Sequence, residues 1–356
     1  MTNYNYKTTE LLSSEIKVTG IGSVPDIDEE CICEFILDTC PDIPFCPQLF
    51  KADVRESMFL QFSENLPCLL PDFKKNYIYY DKSVDKDKKL AEFFDYIAYN
   101  CYDYFKISPD YFRCFYAMLE KNKDMPNRFI KSQVVGPITF LASVLGENGQ
   151  ALIHDSVLSD AIICGLGMKG LWQAKEIEKI GKIPVIIYDE PYLSSLGSAY
   201  SPLNKDRARS IINNLIDFIK ERDDILIGIH CCGNTDWEMI LQTNIDILSF
   251  DSYGFSKYFV LYPEKIQSFL ERGGLVFYGA VPTSEYNERI TLDIVSEKFN
   301  EVLDTLEGKG IKRNSIIKNA VFTPSCGMGL LKKEVSNHIL ELTRDLALKI
   351  RDSSIL

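Results

Sequence analysis

Three residues of metal-binding type stand at the ends of two apolar runs. The first run closes on His230-Cys231-Cys232 and the second leads to Cys326. Along a strand, side chains at positions i and i+2 share a face, so His230 and Cys232 can point together while Cys231 points away. Imidazole nitrogen and thiolate sulfur bind zinc tetrahedrally, and two soft sulfurs favour zinc over magnesium or calcium. Three protein ligands leave one position for water or substrate, as in a catalytic zinc site.

The elements that must position these residues alternate along the chain. The β-type apolar runs are 18–25, 45–49, 129–136, 183–188, 225–232, 245–251, 275–280 and 320–323. The segments with helical periodicity are 156–180, 205–222, 236–242, 263–272, 292–306 and 332–351. Such alternation predicts an α/β fold with a parallel sheet and helical crossovers. Counting 45–49 as the eighth strand favours a TIM (β/α)8 barrel over an open sheet.

A barrel would collect polar residues from separate segments at one rim. Active sites of this fold lie at the C-terminal ends of the strands. The polar residues that end the runs are Ser23, Asp189 with Glu190, His230 with Cys232, Asp251 and Cys326. Their convergence at one end is the main reason to expect a site.

Length and charge limit the remaining organisation. A chain of 356 residues can bury a large core. We expect a tail over residues 1–16 and one catalytic barrel domain over 17–356, with inserted helices at about 81–122. The net charge of −12 argues against nucleic acid as a partner. No apolar run is long enough to cross a membrane, and the polar start and scattered cysteines predict a cytoplasmic protein.

One glycine motif offers a competing interpretation. Gly165-Leu-Gly167-Met-Lys-Gly170 matches the dinucleotide pattern G-x-G-x-x-G, and Asp189 follows about twenty positions later. An NAD(P)-dependent oxidoreductase is therefore one alternative function. The same segment also reads as part of one long helix, in which small glycines would permit close packing. We favour the packing interpretation.

Several stretches together resemble a known superfamily: the catalytic domain of cobalamin-independent methionine synthase, the corrinoid methyltransferases and the uroporphyrinogen decarboxylases. The similar stretches are Gly20-Ile-Gly-Ser-Val-Pro25, Gly136-Pro-Ile-Thr139, Ile187-Tyr-Asp-Glu-Pro191, His230-Cys-Cys-Gly-Asn-Thr235, Leu248-Ser-Phe-Asp251, Gly279-Ala-Val-Pro282 and Pro324-Ser-Cys-Gly327. They run in the same order over nearly the whole chain.

The resemblance implies a TIM barrel and a zinc ion held by His230, Cys232 and Cys326. Asp251 stands where the methionine synthases place a further glutamate ligand, but aspartate is one methylene shorter. Positions matching Ser23 and Asp189 contact the amino-acid thiol in those enzymes, which implies a substrate such as homocysteine. We add Glu190 to the residues expected to orient the substrate.

One difference from the methionine synthases concerns the methyl donor. Where the methionine synthases carry an Asp-x-His pair, this sequence has Pro282-Thr283-Ser284, so the acid that assists departure of the folate amine is missing. The resemblance therefore implies a methyl-corrinoid protein as partner and donor more than a methylfolate. A uroporphyrinogen-decarboxylase-like enzyme, which needs no metal, and a non-catalytic metal-binding or corrinoid-binding barrel remain as alternatives.

Overall fold

The computed structural model describes Thr8, Leu11 and residues 17–196 and 203–355. The strands are β1 (Leu69–Asp72), β2 (Tyr77–Tyr80), β3 (Phe129–Val135), β4 (Ile183–Asp189), β5 (Leu226–Cys231), β6 (Ile247–Phe250), β7 (Leu275–Val281) and β8 (Ala320–Pro324). The helices are α1 (Glu29–Thr39), α2 (Lys86–Ala98), α3 (Arg113–Asn122), α4 (Pro137–Ser143), α5 (Ser156–Lys179), α6 (Lys205–Lys220), α7 (Trp237–Leu241), α8 (Ser252–Phe259), α9 (Pro263–Glu271), α10 (Leu292–Gly308), α11 (Arg313–Lys318) and α12 (Lys333–Ile355). Short 3₁₀ turns lie at Val54–Glu56, Leu60–Phe62, Tyr102–Phe105, Leu152–His154 and Pro191–Ser195.

Strands β3 to β8 form a parallel sheet in chain order, and two further segments complete the circle. The joining bridges, all parallel, pair Val18 with Phe322, Ser23 with Gln48, and Phe45 with Lys131. Segment 17–24 thus lies between β8 and segment 44–48, which in turn borders β3. The predicted barrel is confirmed as a curved parallel sheet of β3 to β8 joined by segments 17–24 and 44–48, and the strand predicted at 45–49 is present only as bridges at Phe45 and Gln48.

The two ends of the barrel interior differ in polarity. Side chains near the starts of the strands form a separate buried apolar cluster that includes Phe129, Val185, Leu226 and Leu275, with Leu11 packed among them. Since this end is filled by hydrocarbon, polar groups inside the barrel must lie toward the strands' C-terminal ends. Within the barrel interior, space for a polar site therefore lies at the C-terminal rim.

Helix α5 settles the structure of the glycine motif. All of Gly165 to Gly170 lies inside this helix of 24 residues, so no strand-to-helix turn is available to hold a pyrophosphate. A Cβ atom at Gly170 would come 2.2 Å from Tyr188 Oη, and one at Gly165 would come 2.8 Å from Leu66. The glycines allow close packing, and the dinucleotide-binding interpretation is wrong.

The segment before β3 holds both expected and unexpected elements. Residues 81–122 contain α2, a 3₁₀ turn and α3, and their assignment as an insertion in the barrel domain stays a prediction. The antiparallel hairpin β1–β2 just before them was not predicted. The tail predicted at 1–16 lies outside the described residues apart from Thr8 and Leu11, which are buried. Among the described helices, none is both long and apolar enough to cross a membrane.

The packing role of the helix glycines is testable with a matched pair of variants. Gly170→Ala should destabilise the fold by about 1–3 kcal/mol, because the Tyr188 ring is fully buried and cannot move aside freely. Gly308→Ala, also in a helix but with nothing within 4 Å of the added carbon, should change stability by less than about 1 kcal/mol. Urea unfolding measures both. Equal effects would contradict the assigned packing.

Candidate metal site

His230 lies near the end of β5, with one ring nitrogen hydrogen-bonded and the other without a partner. The side chain is only 3 % exposed. Its Nδ1 lies 2.9 Å from Ser249 Oγ on β6, whose Cα is paired with that of His230 in the sheet register. Its Nε2 is buried and has no hydrogen-bond partner among the described residues. A buried ring nitrogen without a partner, opposite one that is oriented by a neighbour, is the arrangement of a metal-ligating imidazole.

Two sulfurs complete the cluster. Cys232 directly follows β5, and Cys326 lies two residues beyond the end of β8. The ligand atoms of His230, Cys232 and Cys326 all lie within 4.8 Å of one another. Ligands of a tetrahedral zinc lie roughly 3.5–4 Å apart, so a small inward movement of these side chains would suffice. The three residues therefore fit a zinc ion both in donor type and in spacing.

The two thiols share one proton. A hydrogen bond from Cys326 lowers the pKa of Cys232, and the nearby charge of His230 acts in the same direction. The same bond to Cys232 raises the pKa of Cys326. Without metal, the pair is best described as one thiolate that accepts a hydrogen bond from one thiol. Binding of a divalent ion by both sulfurs would release that remaining proton.

The cluster opens into a cavity of about 580 Å³ at the barrel rim. Its described lining residues are Ile21, Gly22, Ser23, Gln48, Phe50, Glu56, Ser57, Met58, Asp189, Pro191, His230, Cys232, Thr283, Ser284, Cys326, Gly327, Gly329, Leu330 and Leu331. The predicted residues Ser23 and Asp189 are thus brought to the same space as the metal-binding group. This volume suits a small molecule.

Asp189 lines this cavity as a nearly buried carboxylate. The residue is 8 % exposed, and its Oδ1 is buried without a hydrogen-bond partner among the described residues. Burial raises the pKa of Asp189 to about 6, while the charges of His230 and Lys131 oppose the shift. The group is therefore mostly ionised at neutral pH and can accept a hydrogen bond from a substrate ammonium or hydroxyl.

Two other predicted residues lie elsewhere. Asp251 caps helix α8, its Oδ1 accepting from the backbone N–H of Gly254 at 2.8 Å, and burial raises its pKa to about 6. It is not part of the group of three ligand atoms. The carboxylate of Glu190 accepts from the N–H of Ile138 at 2.8 Å and from the N–H and Oγ1 of Thr139 at 2.7 Å. Glu190 thereby anchors the start of α4, outside the described cavity lining.

Some residues of the site had not been predicted. Ser249 orients His230, and its signal was its place in the stretch Leu248-Ser-Phe-Asp251, two residues before an expected site residue. Lys131 is fully buried inside the barrel, where its Nζ donates to the Ile21 carbonyl, and burial lowers its pKa to about 8. A single lysine inside an apolar strand was the available signal for it.

Comparison with known proteins places the fold. No family model and no curated protein sequence matches the chain. Among solved structures, the chain is similar to a B12-independent methionine synthase from Shewanella sp. W3-18-1, solved in complex with selenomethionine. The likeness has a TM-score of 0.60 at 14% identity and covers 96% of this chain and 99% of that one. The chain therefore shares the barrel fold of that protein over nearly its whole length.

The thiolate of Cys232 should be detectable in metal-free protein. Because Cys326 lowers the pKa of Cys232, its alkylation by iodoacetamide should change less between pH 6 and pH 8 than that of an ordinary thiol. Cys164, also partly buried, has its pKa raised to about 11 by burial and serves as control. At pH 6.5 Cys232 should react about tenfold faster or more, even after its lower intrinsic nucleophilicity is counted. Peptide mass spectrometry after timed labelling gives both rates, and similar rates would contradict the assignment.

Proposed function

We propose that this protein is a zinc-dependent methyltransferase that transfers a methyl group to the sulfur of a thiol such as homocysteine. The observation that supports it most is the group His230, Cys232 and Cys326, with an unpartnered Nε2, facing a small-molecule cavity at the barrel rim. The similar Shewanella protein is named a methionine synthase and was solved with selenomethionine, a methylated chalcogen amino acid. Both facts favour chemistry at sulfur.

His230, Cys232 and Cys326 would hold the metal, and the cavity would hold the thiol beside it. A zinc ion, when bound, supplies a Lewis acid that lowers the pKa of a neighbouring thiol, which otherwise lies near 8.5. Ser249 keeps the imidazole of His230 oriented so that Nε2 faces the metal position. The thiol proton would pass to solvent, and the thiolate would attack a methyl group in line. A sulfur–carbon bond would form as the bond between that methyl and the donor breaks, with its electron pair leaving on the donor.

Asp189 and Ser23 would orient the substrate. The free Oδ1 of Asp189 can accept from the ammonium of an amino-acid thiol. Ser23 lines the same cavity, with its Oγ 3.4 Å from the backbone N of Gly329. Holding the sulfur and the far end of the substrate at two points restricts its rotation, which lowers the entropic cost of reaching the transition state.

The methyl donor is proposed to be a methyl-corrinoid, with methylfolate as the alternative. Thr283, within the Pro282-Thr283-Ser284 stretch that replaces the Asp-x-His pair, is engaged with Ser325 by its N–H at 3.1 Å and by its Oγ1 at 3.2 Å. The described lining offers only Asp189 and Glu56 as carboxyl groups, and Glu56 is held by Leu49 N–H and Arg113. A folate amine must be protonated as it leaves, whereas reduced cobalt needs no proton. Reduced cobalt is therefore the leaving group that this cavity lining suits better.

The activity is tested directly by methyl transfer. Zinc-loaded protein is incubated with homocysteine and either methylcobalamin or methyltetrahydrofolate, and methionine is measured by mass spectrometry. We expect product with methylcobalamin, and a loss of about 100-fold or more in His230→Ala, whose imidazole no other described residue of the cluster replaces. Absence of product from both donors and several thiols would contradict the proposed function.

Metal content gives a test that is independent of turnover. Cys232→Ser and Cys326→Ser should each bind zinc at least about 10-fold more weakly, since each variant leaves one thiolate and one imidazole. Cys231→Ser is the matched control, because Cys231 is buried on the opposite face with its Sγ 3.5 Å from the Gly233 carbonyl. Zinc retained after dialysis against a chelator is measured by atomic emission. Full occupancy in both variants would remove these residues from the ligand set.

A further inference from the structure

One wall of the cavity is built from apolar side chains of two separate segments. Phe50 and Met58 follow segment 44–48, while Leu330 and Leu331 follow β8. Leu330 is 86 % exposed, so this wall reaches the outer edge of the rim. A molecule whose sulfur lies at His230, Cys232 and Cys326 would place the rest of its body along this wall.

Specific contacts hold the two segments together. A Cβ atom at Gly329 would come 2.2 Å from the Phe50 ring, so the ring packs directly on the 329 backbone. The Nζ of Lys51 donates to the Leu331 carbonyl at 2.9 Å. These contacts define a fixed apolar surface at the mouth.

With His230 neutral as a zinc ligand, the described lining of the same cavity carries no positive side chain. None of its described lining residues is a lysine or arginine, and Glu56 and Asp189 are acidic. The cations that contact this wall or its neighbours are already bonded: Lys51 to the Leu331 carbonyl, Lys131 to the Ile21 carbonyl and Arg113 to Glu56. With zinc bound, its two positive charges would be balanced by two thiolates, and Asp189 would leave the site net negative. A substrate carboxylate or sulfonate without a counter-charge would lose its hydration with no compensation.

We infer that the cavity selects thiols that have an apolar body and no net negative charge, and that it rejects anionic thiols. This inference rests on the proposed function and narrows its acceptor. Zwitterionic amino-acid thiols stay within the class because their ammonium offsets their carboxylate and can reach Asp189. Thiols that end in a lone carboxylate or sulfonate fall outside the selected class.

Binding of two probes of equal chain length tests the selectivity. 1-Propanethiol and 3-mercaptopropionate have similar thiol acidity and differ mainly in the terminal charge. Titration calorimetry on zinc-loaded protein should give a Kd for 1-propanethiol at least about tenfold lower than for 3-mercaptopropionate. Equal affinities would overturn the selectivity and leave thiol activation standing. Failure of both thiols to bind would overturn the proposed function, and the inference with it.

A charge placed on the wall gives the complementary test. Leu330→Lys should reduce the preference for 1-propanethiol to less than about threefold, because the new ammonium can pair with the carboxylate at the rim. Leu261→Lys is the matched control, since Leu261 is also an exposed leucine, at 59 %, but does not line the cavity. The control should keep the wild-type preference. If the two variants change the preference equally, the effect is one of overall charge and the assigned wall is wrong.

Discussion

Closure of the barrel is the constraint on which the site depends. Cys232 follows β5 and Cys326 follows β8, and the strands between them curve through β6 and β7. Segment 17–24 is fixed to β8 by hydrogen bonds from Thr19 N–H to the Phe322 carbonyl at 3.1 Å and from Phe322 N–H to the Lys17 carbonyl at 2.8 Å. An open sheet of the same strands would leave the two cysteines well apart, because neighbouring strands are about 4.8 Å apart. The curvature that brings the sulfurs together therefore belongs to the whole barrel.

Charge within the barrel is arranged in layers. The strand starts are filled by hydrocarbon, and Lys131 lies above them with its Nζ on the Ile21 carbonyl. The Coulomb attraction between Lys131 and Asp189 favours the ionised form of both groups. Burial opposes ionisation, and for both groups it is the larger effect. The pKa of Asp189 is thus about 6, so the carboxylate is mostly charged at neutral pH and can accept a hydrogen bond from a substrate ammonium.

The sequence was most informative where a polar residue follows an apolar run. His230, Cys232, Asp189 and Ser23 could be placed at one rim because the ends of parallel strands meet there. The roles of Asp251 and Glu190 could not be read in the same way, because a carboxylate at a strand end can equally cap the next helix. Asp251 followed by Ser-Tyr-Gly is such a capping signal. For Glu190 the capped helix lies some fifty residues earlier, so only the fold reveals it.

The β1–β2 hairpin and the apolar wall of the cavity could not be predicted from the sequence, for a related reason. Leu69–Asp72 and Tyr77–Tyr80 have four residues each, too few for a periodicity to be recognised. Phe50 and Leu330 are scattered apolar residues in loops, and they line one cavity only because barrel closure places segment 17–24 between segment 44–48 and β8. The loops that follow segment 44–48 and β8 therefore both line the cavity. The choice of side chains in them decides which molecules can enter, while the zinc ligands decide what can be done to the sulfur that arrives.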